Sequence, residues 1–96
     1  MKPSLLLPSV RLVIYDLASR HKVTNPRVFG SVLHGTDKEG SDLDLLVDPL
    51  PGATLFDLGG LQEALVEMLG IPVDVVTPGD LPVQIRQRVL SEARPL

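Results

Sequence analysis

The chain has 96 residues, no cysteine, no tryptophan and a formal net charge of −3, and 44% of it is hydrophobic. That length bounds it to one small domain over residues 1–96, and the missing cysteines exclude disulfide frameworks, thiolate zinc sites and cysteine nucleophiles. The acidic balance argues against a domain built to grip a nucleic-acid backbone, and no apolar run reaches the ~18 residues of a membrane span.

The opening MKPSLLLPSV carries a short leucine run interrupted by Pro3 and Pro8, without the length or cleavage site of a signal peptide. The expectation is a soluble protein of a reducing cytoplasm. From Ser9 to His21 the apolar positions Val10, Val13, Ile14, Leu17 and Ala18 follow helical spacing, with Ser9 as N-cap. Asn25-Pro26 is read as a break, followed by a strand Arg27-Val28-Phe29 ending at Gly30. Ser31 to His34 forms a brief helical turn, and Thr36 to Ser41 is a polar loop. Leu43 to Val47 is the clearest strand, stopped by Pro49-Leu50-Pro51-Gly52.

Thr54 caps a helix with Asp57 in the third position, a variant of the capping box. Leu58, Leu61, Leu65 and Leu69 form its buried stripe, and Gly70 stops it. Ile71 to Thr77 is a β-branched strand. A last helix begins near Asp80, takes Pro82 in its first turn and buries Leu81, Ile85 and Val89. The order α-β-α-β-α-β-α predicts an α/β (α+β) fold with a small mixed three-stranded sheet flanked by helices.

Charge is unevenly distributed. Residues 1–30 carry five Lys/Arg against one acid, residues 31–80 carry Lys38 against ten acids, and residues 81–96 carry three Arg against Glu92. An acidic middle between basic ends suits a solvated face or a cation site.

The chemistry concentrates there. Gly30-Ser31 is followed after ten residues by Asp42-Leu43-Asp44. On a strand Asp42 and Asp44 share one face, roughly 6–7 Å apart, while Leu43, Leu45 and Val47 point to the core. Two carboxylates so placed repel unless a cation lies between them, and hard oxygen ligands suit Mg²⁺ or Mn²⁺. Asp74 is the only acid in the aliphatic run Val73-Asp74-Val75-Val76 and is costly there unless paired or metal-bound. If the strands are neighbours, three carboxylates converge. Gly30 lets backbone approach a phosphate without a Cβ in the way, and Ser31 and the following N–H groups can meet phosphate oxygens. In-line displacement at phosphorus is the chemistry this set can perform: Asp42 and Asp44 bridge metals, and Asp74 holds a metal or takes the acceptor's proton.

Gly30-Ser31, ten residues, Asp42-x-Asp44 and a later strand Asp74 resemble the polymerase-β-type nucleotidyltransferase superfamily. The stretch from Val28 to Thr77 is similar to its minimal nucleotidyltransferase group, the MntA-like antitoxins. The resemblance implies ATP and Mg²⁺ (or Mn²⁺) bound at Gly30, Ser31, Asp42, Asp44 and Asp74, with those three acids as catalytic and metal-holding residues. It also implies a helical HEPN-type toxin as partner, silenced by transfer of AMP to a tyrosine hydroxyl. One position departs: members often carry Arg-Gly after the Gly-Ser turn, whereas this chain has His34-Gly35. His34 is kept as a nucleotide-binding candidate, with Arg27, Lys38 or a partner able to compensate for the lost cation. Asp48, His21 and Tyr15 read as surface or packing residues.

The small size adds an expectation that the acceptor surface comes from another chain, the substrate protein or a second copy. Two rival readings stand beside the adenylyltransferase antitoxin. One is a non-catalytic antitoxin that neutralises its partner by contact; the other transfers a nucleotide to a small-molecule hydroxyl in a homodimer cleft.

Overall fold

A strand with apolar side chains on both faces organises the chain. The computed structural model describes residues 1–96. Its elements are α1 (Pro3–Arg20), β1 (Val23–Phe29), α2 (Gly30–His34), β2 (Leu43–Pro49), α3 (Leu55–Leu69), β3 (Val73–Val76), a 3₁₀ turn (Pro78–Asp80), α4 (Val83–Glu92) and β4 (Arg94–Pro95). The strands form one mixed sheet in the order β3-β2-β1-β4. β1 runs antiparallel to β2 and to β4, and β2 runs parallel to β3.

β2 explains the layers. Leu43, Leu45 and Val47 point into the main core with Ile14 and Ala18 of α1 and Leu61 and Leu65 of α3. Leu46 points the other way, into a smaller cluster with Leu81 and Val89 that α4 closes. A strand buried on both faces reads as a continuous aliphatic run rather than an alternation, as Leu45 to Val47 does.

The predicted fold class stands, but β2 runs on through Asp48 to Pro49, β3 is shorter than the predicted Ile71 to Thr77, and four other local differences go further. The sheet has a fourth strand, because Arg94 and Pro95 pair with Val28 and Arg27. Two residues are too few to leave a periodic signal. The first helix begins at Pro3, not at Ser9, and carries Pro8 inside it. Pro3 is preset for a first turn, and the helix runs through Pro8 although a proline there removes its own N–H bond and crowds the Ser4 carbonyl one turn back. The first strand begins at Val23, and Asn25-Pro26 lies within it as a bulge, with Asn25 in the left-handed region at φ 55°. A proline lacking its N–H is tolerated at such a bulge. Pro82 precedes the last helix as its N-cap, while Thr77 and Asp80 close a capping box around the 3₁₀ turn before it. The Thr54–Asp57 capping box and the left-handed Gly70 that end α3 are as predicted.

One long-range contact ties the loop before β2 to the start of α1. Asp37 is 5% exposed, and its Oδ2 accepts the Ser4 N–H at 2.8 Å. Lys2, at the cap position, offers no side-chain hydrogen bond, so Asp37 serves as the cap from 33 residues away. The Ser4 amide holds its carboxyl below the ordinary carboxylate range.

Asp37→Ala is expected to lower the melting temperature by about 5 °C, the ordinary cost of a lost cap in a domain this size. Because the folded-state pKa is depressed, the contribution is present above the ordinary carboxylate value and is lost as pH falls through the folded one. Thermal melts along an acid series should show that increment vanish in the wild type and be absent from the variant.

Candidate active site

Three acidic residues share one face at the β2–β3 end of the sheet. In the parallel register Asp44 stands opposite Asp74, and across the antiparallel pair it stands opposite Phe29. Neighbouring strands lie ≈ 4.8 Å apart, so the register alone sets the Asp44 and Asp74 carboxylates side by side. Asp42 lies two residues before Asp44, just ahead of β2, and is solvent-exposed like Asp74. Asp44 is half-buried. Desolvation, followed by the charges of Asp74 and of Asp42, pushes its pKa up to about 6. The side-chain oxygens do not close onto a single point as they stand; the backbone register is what brings the trio together.

Gly30 joins β1 to α2 with φ at 72°. A Cβ there would collide with the Asp44 carboxylate, whose Cγ lies only 3.2 Å from the position it would take. Glycine is thus required twice over, by backbone conformation and by the acid beside it. Ser31 follows in the first turn of α2, half-exposed and with its side chain unbonded; its carbonyl accepts the Thr36 N–H at 3.0 Å. The first N–H groups of a helix lack intrahelical partners and can meet an anion.

Two clefts flank this acid row. One, of about 530 Å³, is walled by Phe29, Gly30 and His34 on one side and by α4 on the other. The second, of about 710 Å³, takes Asp42 and Asp74 on its floor, with Gln62 and Val66 of α3 and the Gly70–Val73 approach to β3 as walls. Gly30 and His34 therefore face one cleft and Asp42 and Asp74 the other, with Asp44 between them against Gly30. Ser31 lines neither.

The α4 wall is absent from the sequence reading. Ile85, Arg88, Val89 and Glu92 line the smaller cleft at i, i+3, i+4 and i+7. That helical spacing, with apolar and charged positions adjoining on one side, was the available signal. His34 Nε2 lies 3.2 Å from the Glu92 carboxylate. Gln62, also unmarked, locks β3: its Oε1 accepts the Val75 N–H at 2.9 Å.

Other candidates separate from the site. Arg27 is committed to Asp48 at 2.6 Å, and the same carboxylate accepts the Asn25 amide at 3.0 Å, so both stand as a strand-end pair. Lys38 is exposed in the loop and lines neither cleft. Tyr15 lies under the Arg11 guanidinium, 5.2 Å from the ring centre. His21 Nδ1 pairs with the Leu17 carbonyl at 2.8 Å. No helix is long and apolar enough to cross a membrane.

The chain matches the nucleotidyltransferase domain family over residues 10–96. It belongs to that family, and it is a nucleotidyltransferase. The chain is 39% identical over 77 residues to a protein of Thermococcus cleftensis named protein adenylyltransferase MntA, a match spanning 80% of this chain and 78% of that protein. A solved structure described as a minimal nucleotidyltransferase is 43% identical, with a TM-score of 0.86 over 97% of this chain and 95% of that one. A toxin–antitoxin crystal structure with AMP-PNP shares the fold at 23% identity, with a TM-score of 0.74 over 88% of this chain and 70% of that one.

The raised Asp44 pKa has a direct consequence for stability. The folded state holds a proton that the unfolded state releases, so without divalent cations stability should fall as pH rises from about 4 to about 6. Asp44→Asn should remove that slope and stabilise the metal-free protein at pH 7 by about 1–2 kcal/mol, after allowance for solvent screening of a half-exposed group. Chemical denaturation in chelator at several pH values measures both.

Proposed function

We propose that this chain is a Mg²⁺-dependent protein adenylyltransferase that moves AMP from ATP to a tyrosine hydroxyl of a HEPN-type toxin and so serves as its antitoxin. One observation carries the reading: Asp44 and Asp74 lie in register on parallel strands, with Asp42 two residues away and Gly30 pressed against Asp44. The T. cleftensis relative, named as a protein adenylyltransferase, supports it, as does the fold shared with a toxin–antitoxin complex crystallised with AMP-PNP.

The donor set fits a hard divalent cation, because three carboxylates share one face and burial, followed by like-charge repulsion, raises the pKa of the middle one. Asp42, Asp44 and Asp74 would hold Mg²⁺, or Mn²⁺, which supplies neutralising charge to them and to the phosphates when bound. The Gly30 turn lets the phosphates approach the backbone, and the first N–H groups of α2, with the Ser31 hydroxyl, donate to their oxygens. Asp74, exposed on the floor of the larger cleft, is the carboxylate placed to take the proton of an entering hydroxyl. As that proton leaves, the hydroxyl oxygen bonds to the α-phosphorus and the bond to the bridging oxygen of pyrophosphate breaks. Pyrophosphate departs with the electron pair. In this reading residues 1–96 act as a single minimal nucleotidyltransferase domain.

The double variant Asp42→Asn/Asp44→Asn should retain the wild-type circular-dichroism spectrum while AMP transfer to the toxin, read as added mass on the intact partner, falls by at least 10³-fold. Undiminished transfer would end the assignment of these acids. Full neutralisation of the toxin without added mass, by wild type and variant alike, would instead establish an antitoxin acting by contact. A companion variant, Gly30→Ala, should lose most transfer activity and about 1 kcal/mol of stability, because alanine is strained in the left-handed region; wild-type transfer rates in Gly30→Ala would remove the glycine from the phosphate site.

A further inference from the structure

A nucleotide at this site poses a charge problem. The polyphosphate of ATP would lie beside the Asp42, Asp44 and Asp74 face, and Glu92 adds a fourth carboxylate at the wall of the smaller cleft. The cationic side chains around it are mostly committed. Arg27, only 13% exposed, is bound to Asp48. The Arg86 guanidinium is folded back onto the carbonyls of Leu81 and Gly79. Arg94 lines a smaller neighbouring hollow that does not include Gly30. Arg88 is different: it lines the same cleft as Gly30 and makes no ion pair or side-chain hydrogen bond. Glu92, one turn further along α4, is placed against His34 and leaves Arg88 un-neutralised. Its neighbours on the helix, Ile85 and Val89, seat α4 on Leu46 and Leu81, so the helix that carries the arginine is anchored to the sheet.

We infer that Arg88 is the residue that binds the polyphosphate tail of the nucleotide, across the cleft from Gly30. The inference rests on the adenylyltransferase reading and adds to it a binding residue from α4. A guanidinium meets phosphate oxygens with paired N–H donors and cannot lose its charge. Those bonds strengthen as charge gathers on the departing pyrophosphate, so Arg88 acts on the leaving group as well as on binding.

Calorimetric titration of the full chain with AMP-PNP and with AMP, both in Mg²⁺, tests this. Arg88→Gln should weaken AMP-PNP binding about tenfold or more while changing AMP binding less than twofold. Arg88→Lys should fall between wild type and the Gln variant, and Arg94→Ala should stay within twofold of wild type. Arg88 is exposed, so the melting temperatures of both Arg88 variants should match the wild type. Wild-type AMP-PNP affinity in Arg88→Gln, an equal loss for AMP, or an equal loss in Arg94→Ala would each overturn the inference while leaving the adenylyltransferase reading intact. A wild-type protein that binds no AMP-PNP with Mg²⁺ would overturn that reading and this inference together.

Discussion

Holding a carboxylate half out of water beside two others is the constraint around which the rest of this fold is arranged. Desolvation and two like charges act on Asp44 at once, and their cost must be offset elsewhere in a domain whose whole stability is of order 5–15 kcal/mol. The offset lies in the same strand. Leu43, Leu45, Leu46 and Val47 are each no more than 1% exposed, and each such side chain contributes roughly 1.5–3 kcal/mol by leaving water. β2 therefore carries both three consecutive side chains withdrawn from water and the acid whose pKa is raised. The acid sits near the N-terminal end of β2, where the sheet opens toward the two clefts rather than into the core.

Two aspartates a few residues apart show how environment rather than residue type sets the outcome. Asp37 is the more buried, yet an amide N–H aimed at it holds its carboxyl low. Asp44 is partly withdrawn from water with no donor to compensate, and the charges of Asp74 and Asp42 add to that desolvation, so its pKa rises. The first is thereby a structural cap that fastens the loop between α2 and β2; the second keeps an electrostatic demand that a cation can satisfy. The fastening matters to the site, because that loop delivers Asp42.

Much of this was legible in the residue order. Alternation put Asp42 and Asp44 on one face, aliphatic β-branched residues around Asp74 gave a strand, and the Thr54–Asp57 spacing gave the start of α3. What stayed hidden was whatever depends on distance in the chain. Local turn chemistry made Asn25-Pro26 a break, but the ladder with β2 absorbs it as a bulge because β1 is held on both sides of it. Pro8 and Ser9 suggested a late helix start, while the cap that lets α1 begin at Pro3 comes from Asp37. Strand pairing was equally out of reach: nothing in Val73 to Val76 states that β3 lies parallel to β2 with Asp74 opposite Asp44. The α4 wall was missed for another reason. Its apolar positions Ile85 and Val89 read as core, and Arg88 and Glu92 enter the sequence only through the charge balance of residues 81–96.

The two clefts give the acid row a direction. In-line displacement at phosphorus requires the attacking oxygen and the departing oxygen to lie on opposite sides of the reacting atom. On the proposed reading the side with Gly30, the first turn of α2 and Arg88 carries the donors and the cation that a leaving pyrophosphate needs. The side with Asp42 and Asp74 carries exposed carboxylates and an open groove between α3 and β3, which suit a neutral hydroxyl that must give up a proton. Reversing the assignment would leave the phosphate tail without the Arg88 guanidinium, and set a hydroxyl beside a guanidinium that cannot accept its proton. On the same reading, the asymmetry of charge between the clefts would order donor and acceptor around Asp44, through elements as far apart in the chain as α2 and α4.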